Sequence, residues 1–131
     1  MSTPLNITDM VTDARGRVEG LTPTEVAAAL DGETLLVDVR ESEERREHGV
    51  IAGSVPAPRG LLEFYADPSC EQHRPEFDMN RRVILYCGDG TRSALAADTM
   101  TRMGYWRVAF LDGGMEAWTR DGRETEPAEL L

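Results

Sequence analysis

The chain has 131 residues, a length typical of one domain that buries most of its apolar surface without disulfide bonds. Its 24 acidic residues outnumber 14 basic residues, which gives a formal net charge of -10. A surface of this sign repels nucleic acids and anionic membranes, so we expect neither as a partner.

Cysteine usage is sparse, with Cys70 and Cys87 the two cysteines of the sequence. They make no disulfide framework and belong to no Cys/His cluster with zinc-ligand spacing, so we expect no metal and no cofactor. A reducing cytoplasm is the simplest location. The first twelve residues lack the basic start and apolar stretch of an export signal, and no apolar run is long enough to span a membrane.

The N-terminal end is weakly patterned and predicts an arm over residues 1–19. Helical spacing of apolar residues within it predicts a short helix capped by Thr8, and residues 17–19 fit an edge strand. Thr22 is followed by a proline and, three residues on, by a glutamate, which predicts the start of the next helix.

The next segment predicts a strand, a charged helix and a second strand. The apolar run at residues 35–39 is typical of a parallel strand covered on both faces. Ser42 is placed to cap a helical turn that runs through His48. We expect residues 41–47 to form an exposed face and His48 to be solvated. A short strand is predicted near residues 54–56.

The second half of the chain alternates in the same way. Its predicted elements are a brief helix at 61–66, a surface loop at 67–80, a central strand at 82–86, a helix ending at Met103, a strand at 106–111 and a closing helix at 115–120. Trp106 and Trp118 are expected in the core.

Strands alternate with helices throughout, so the predicted fold class is α/β with a mostly parallel sheet. Asp38, Cys87 and Asp112 each follow or end a predicted strand. The carboxyl ends of parallel strands meet at one edge of a sheet, where ligands of open α/β folds bind. We therefore expect these three residues to converge.

The most informative stretch is Cys87-Gly88-Asp89-Gly90-Thr91-Arg92-Ser93, between a strand and a helix. A tight glycine loop at such a junction points backbone N–H groups and the positive end of the helix dipole into one concavity. That environment favours an anion and places Cys87 to be a thiolate.

Four ordered pieces of the sequence resemble the single-domain rhodaneses, a family of sulfurtransferases. The pieces are residues 36–41, residues 49–54, residues 87–93, and residues 111–115 together with Ala117-Trp118. The resemblance covers residues 20–124 and leaves residues 125–131 as a C-terminal tail. It implies a five-stranded, mostly parallel sheet flanked by helices on both faces.

The resemblance also implies a mechanism. Cys87 attacks the outer sulfur of a donor such as thiosulfate, or the thiol sulfur of mercaptopyruvate, and the persulfide formed passes its sulfur to a thiol or to cyanide. The loop residues Gly88, Asp89, Gly90, Thr91 and Arg92 hold the persulfide, with Arg92 orienting the loop or the donor.

Several further residues are expected to support the site. Asp38 is expected to hold either Arg92 or Arg40. Arg59 either projects toward the cleft to bind the donor or stays in solvent at a helix start. The remaining supporting residues are Ser93 at the start of the helix, and Gly113 and Gly114, which are interpreted as permitting a tight turn.

Three alternatives remain beside the enzyme. The first alternative is a persulfide relay fed by a partner protein, the second is an inactive regulatory domain, and the third is a phosphatase or arsenate reductase. The phosphatase reading is disfavoured because only four residues separate Cys87 from Arg92, one fewer than in protein tyrosine phosphatases. Asp89 places an acid inside the predicted anion site, so we expect weak activity with thiosulfate.

Overall fold

The computed structural model describes residues 3–128, and in that range helices alternate with short parallel strands. The helices are α1 (Ile7–Arg17), α2 (Pro23–Ala29), α3 (Ser42–His48), α4 (Leu62–Ala66), α5 (Thr91–Arg102) and α6 (Gly114–Arg120). The strands are β1 (Glu19–Leu21), β2 (Leu35–Asp38), β3 (Val55–Pro56), β4 (Val83–Tyr86) and β5 (Val108–Leu111). A 3-10 turn, Arg59–Leu61, leads into α4.

The five strands form one sheet in the order β1-β5-β4-β2-β3, and every paired strand is parallel to its neighbour. The predicted five-stranded α/β fold is confirmed. All four residues of β4 are buried, as expected for a central strand with neighbours on both sides and helices on both faces.

The core divides into two layers because successive strand residues point to opposite faces of the sheet. On one face, Val83 and Leu85 pack with Leu62 of α4 and Met100 of α5. On the other face, Ile84 and Tyr86 belong to a second cluster, whose helix residues are Val26 of α2 and Met115 and Trp118 of α6. The predicted helices on both faces are therefore present.

The N-terminal arm differs from the prediction in two places. The side chain of Asn6, not Thr8, caps α1 by accepting the N–H of Asp9 at 2.8 Å. Arg17 ends that helix, and the edge strand begins at Glu19, where pairing with β5 sets the register. Met1 and Ser2 of the predicted arm lie outside the described residues.

Two local expectations from the middle of the chain were also wrong. Ser42 is the first residue of α3, and Glu41 precedes the helix as its cap position. Trp106 is 68 % exposed because β5 begins only at Val108, whereas Trp118 is buried as expected.

In its described residues, 125–128, the predicted C-terminal tail of residues 125–131 forms a β-bridge to the domain. Glu126 exchanges two backbone hydrogen bonds with Val50, at 2.7 and 2.9 Å. Residues 129–131 of that predicted tail lie outside the described part of the chain.

Candidate active site

The candidate site lies at the carboxyl edge of the sheet, where β5, β4 and β2 are neighbours. Asp38 ends β2, Cys87 follows β4, and Asp112 follows β5. The predicted convergence of the three strand ends is confirmed. Residues 87–92, which we call the cysteine loop, join the central strand to the start of α5.

Cys87 is 0 % exposed, and its sulfur is surrounded by hydrogen-bond donors. The Gly90 N–H donates to Sγ at 3.2 Å and the Ser93 N–H at 3.4 Å. The Ser93 hydroxyl oxygen also lies 3.4 Å from Sγ. These groups sit in the loop and the first turn of a twelve-residue helix, so the helix dipole adds to their positive potential. These N–H groups and the helix dipole are arranged to favour negative charge on the sulfur.

Helix α6 holds the cysteine loop from behind. The Met115 N–H donates to the carbonyl oxygen of Cys87 at 2.8 Å, and the Glu116 N–H donates to that of Gly88 at 3.0 Å. Gly114 has a φ of 58°, and a Cβ there would lie 2.6 Å from the Cys87 carbonyl oxygen. Only glycine permits this approach at Gly114. Gly113 has a φ of 79° and a Cβ there would lie 2.6 Å from Cβ of Ala117, so it permits the tight turn into α6.

Asp89 lies at the rim of the loop with its carboxylate turned toward Thr91. Oδ1 accepts the Thr91 hydroxyl at 2.7 Å and the Thr91 N–H at 3.0 Å. These two hydrogen bonds hold the pKa of Asp89 below its usual value, so the carboxylate is charged at neutral pH. The same oxygen lies 4.0 Å from Sγ of Cys87. A negative charge thus lies beside the Cys87 sulfur.

Arg92, the residue that closes the loop, is paired with Glu44 of α3. Its two terminal nitrogens donate to the two carboxylate oxygens at 2.8 and 2.7 Å. The hydrogen bond from Arg92 lowers the pKa of Glu44 to about 2. Asp38 does not hold Arg92, so that branch of the expectation was wrong.

Asp38 instead holds two other arginines. Its carboxylate accepts Nε and Nη2 of Arg40 at 3.0 and 2.9 Å and Nε of Arg45 at 3.0 Å. Arg40 Nη2 also donates to the Gly49 carbonyl oxygen at 2.8 Å. Asp38 and Arg40 are both buried, so the expected Asp38–Arg40 pair is present in the interior.

The sequence reading missed Glu44 and Arg45 because it assigned residues 41–47 to an exposed helix face. Both side chains are partly buried, and both point back toward the sheet edge. One signal was available in the sequence. Helix α3 follows β2 after a few residues, so its first turn must lie at the same carboxyl edge as Cys87.

A cavity of about 500 Å³ opens beside the loop. Two guanidiniums and three carboxylates line it. The lining residues are Arg40, Glu44, His48, Gly88, Asp89, Thr91, Arg92, Met115, Glu116 and Thr119. His48, expected in solvent, is largely exposed but also lies on this wall.

Arg59 lies away from this cavity. Its guanidinium donates to Glu63 at 2.7 Å and to the Thr99 hydroxyl at 3.2 Å, and it lines a separate cavity beside α1 and α5. Among residues 3–128, no cluster of His, Cys, Asp and Glu is arranged to hold a metal ion. Within the same residues no helix is long and apolar enough to cross a membrane.

Residues 22–121 match the family model of the rhodanese-like domain. A sulfurtransferase of Allochromatium vinosum is 33 % identical over 90 residues, which cover 69 % of this chain and 76 % of that protein. A Bacillus subtilis protein provisionally named a sulfur carrier is 36 % identical over 84 residues, covering 64 % of this chain. The chain spans only 40 % of that protein's length.

A solved structure from Rhodopseudomonas palustris, described as a protein of unknown function and suggested to be a tyrosine phosphatase, matches with a TM-score of 0.90. It is 34 % identical, over 96 % of this chain and 98 % of that one. The family model and the sulfurtransferase relative together support sulfur transfer as the general chemistry. Because the family model covers most of the chain, this protein belongs to the rhodanese-like family.

Proposed function

We propose that the protein is a sulfurtransferase that forms a persulfide on Cys87 and passes the sulfur to a thiol or to cyanide. The observation that carries this proposal is the set of donors around Sγ, from Gly90 and Ser93 at the start of α5. A persulfide on Cys87 needs such donors because its outer sulfur carries a negative charge that the site must stabilise.

The reaction has two balanced steps. The Cys87 thiolate attacks the transferable sulfur of the donor, the bond from that sulfur to the rest of the donor breaks, and the remainder leaves with the bonding electrons. The bond that breaks is S–S in a sulfane-sulfur donor and C–S in mercaptopyruvate, which leaves as the enolate of pyruvate. For thiosulfate the leaving group is sulfite, and for a hydropersulfide it is a thiolate. An acceptor thiolate or cyanide then attacks the outer sulfur of the persulfide, and Cys87 leaves as a thiolate.

Access to the sulfur is restricted, because Cys87 has no exposed surface. A donor must therefore displace part of the cysteine loop before it reaches Sγ. The loop is held at its Cys87 and Gly88 carbonyls by α6 and at Arg92 by Glu44. Residues 89–91 lie between these fixed points, so we propose that they move to admit the donor.

A persulfide relay fed by a partner protein is the second candidate. The similarity to the Bacillus subtilis sulfur carrier favours it, and so does the burial of Sγ, because a partner that binds the rim supplies energy for opening the loop. A phosphatase is less favoured. Its arginine must be free to bind phosphate, whereas Arg92 here is paired through both terminal nitrogens with Glu44.

Intact-mass spectrometry tests the proposal. The wild type is incubated with thiosulfate or mercaptopyruvate, and one added sulfur is expected on the wild type and on Cys70→Ser but not on Cys87→Ser. Cys70 is the matched control because its thiol donates to Gln72 in a separate loop. Sulfur acquired only from a persulfidated cysteine desulfurase indicates the relay. Release of phosphate from an aryl phosphate, without any added sulfur, contradicts both readings.

A further inference from the structure

The charge around Cys87 is unusual for a site that receives an anionic donor. Arg92 is the loop's own cation, and Glu44 neutralises it through two hydrogen bonds. Asp89 accepts a hydrogen bond from the N–H of Thr91, and its carboxylate oxygen lies 4.0 Å from Sγ of Cys87. Two of the elements that would attract an anion, the loop cation and one of the loop amides, already have partners within the protein.

The rest of the cavity does not restore a positive potential. Its lining has Arg40 and Arg92 against Glu44, Asp89 and Glu116. Arg40 is turned away, toward Asp38 and the Gly49 carbonyl. Behind Arg40, the Asp38 carboxylate and the Arg45 guanidinium carry opposite charges and add nothing to the sum of formal charges. Without the largely exposed His48, the formal charges of the lining sum to one negative charge.

We infer that this site selects sulfane-sulfur donors that carry one negative charge or none over dianionic donors, and that Asp89 and Glu44 are the specificity-determining residues. The inference rests on the proposed function and narrows its donor class. Thiosulfate, a dianion, is disfavoured, whereas a persulfide carried on a thiol is accepted.

The size of the effect follows from Coulomb's law. One additional like charge at about 4 Å lowers binding about fivefold in bulk water and about a thousandfold at an effective dielectric of 20. Asp89 is exposed, so its effect belongs near the lower end of that range. We expect at least about a fivefold penalty against each extra donor charge.

Thiosulfate and methanethiosulfonate make a matched pair of probes. Both present a terminal sulfur on an oxidised sulfur, but a methyl group replaces one charged oxygen in methanethiosulfonate. In each case the Cys87 thiolate attacks the terminal sulfur and the S–S bond breaks. Sulfite leaves from thiosulfate and methanesulfinate from methanethiosulfonate. The two reactions therefore differ mainly by one negative charge.

The experiment compares kcat/KM for both donors, with cyanide as acceptor, in the wild type, Asp89→Asn and Glu44→Gln. Asparagine keeps the acceptor oxygen for Thr91 and removes the charge. Glu33→Gln is the control, because Glu33 is an exposed carboxylate before β2, at the opposite edge of the sheet. This variant changes the net charge of the protein by the same amount and is expected to leave kcat/KM unchanged for both donors.

The expected result is that Asp89→Asn raises kcat/KM for thiosulfate about fivefold or more and for methanethiosulfonate by a smaller factor. Glu44→Gln is expected to shift the ratio in the same direction, since it frees Arg92. Raising the salt concentration is expected to increase the wild-type rate with thiosulfate, because ions screen repulsion.

Two outcomes would overturn the charge selection and leave the proposed sulfurtransferase activity standing. One is an equal change of kcat/KM with both donors in Asp89→Asn. The other is a wild-type rate with thiosulfate that falls as the salt concentration rises, as it does at a cationic site. The intact mass of the wild type after incubation with each donor distinguishes a failure of the donor selection from a failure of the proposed function. No added sulfur on Cys87 from either donor would overturn the proposed enzyme and the inferred selection together.

Discussion

Gly114 lies so close to Cys87 that a single added carbon at its α position would lie 2.6 Å from the Cys87 carbonyl oxygen. The contact joins two strand-to-helix turns, one after β4 and one after β5, that are neighbours in the sheet. The amides of Met115 and Glu116 then bond to the carbonyls of the cysteine loop. The geometry of Cys87 therefore depends on a turn more than twenty residues away in sequence.

Gly114→Ala should destabilise the protein by about 3 kcal/mol or more, because it adds a backbone clash to the strain of a positive φ. Urea unfolding measures the change. Gly122→Ala is the matched control, since Gly122 has a φ of 77° with no neighbour near its α position. That control should cost only about 1 to 2 kcal/mol. Equal losses in the two variants would show that the approach to Cys87 is not tight.

Asp38→Asn should cost about 3 to 5 kcal/mol of unfolding free energy, because it leaves the buried Arg40 and the largely buried Arg45 without a counter-charge. Chemical denaturation measures it. Asp121→Asn removes a partly exposed partner of Arg123 and should cost less than about 1 kcal/mol. An Asp38 variant with unchanged stability and activity would show that the buried pair supports neither.

Ser93→Ala should slow persulfide formation on Cys87 about fivefold, since it removes the hydroxyl beside Sγ, worth about 1 kcal/mol, and keeps the backbone donor. Single-turnover mass spectrometry measures the rate. Thr101→Ala removes a hydroxyl of the same helix that bonds to the Ala97 carbonyl, away from the sulfur. If both variants slow the reaction equally, the hydroxyl contact has no specific role.

The Glu44–Arg92 pair should give a defined pH dependence of stability. The folded-state pKa of Glu44 is about 2 against an ordinary value of 4.5. Its contribution is therefore fully present above 4.5 and is lost as pH falls toward 2. The unfolding free energy of the wild type should exceed that of Glu44→Gln by about 1 kcal/mol near neutral pH, since the pair is partly exposed.

That difference should shrink as pH falls through the window between the two pKa values, as measured by urea unfolding at several pH values. Glu33→Gln serves again as the control, because its carboxylate carries no such pair in the described structure. A wild-type advantage that stayed constant down to the acid end of this window would mean that Glu44 does not hold Arg92.

The sequence by itself determined the order of the elements and the candidate nucleophile. Apolar periodicity and glycine turns are local properties, so they predicted a parallel α/β sheet and a strand, loop and helix around Cys87. The partners of charged side chains are not local properties, because the partner can lie far away in the sequence. Arg92 meets Glu44, and Asp38 meets Arg45 as well as Arg40, only because β2 and β4 are neighbours and α3 lies over the same edge.

The same reason explains the wrong prediction for Trp106 and the alternatives that stayed open for Arg59. An arginine suits a cleft or the surface, and a tryptophan suits the core or the surface. Only the packing of α4, α5 and β5 placed Arg59 beside Thr99 and left Trp106 in solvent. Local pattern fixes which chain segments form elements and where a thiolate is favoured. The tertiary structure decides which charges face that thiolate, because electrostatic partners are set by distance in space.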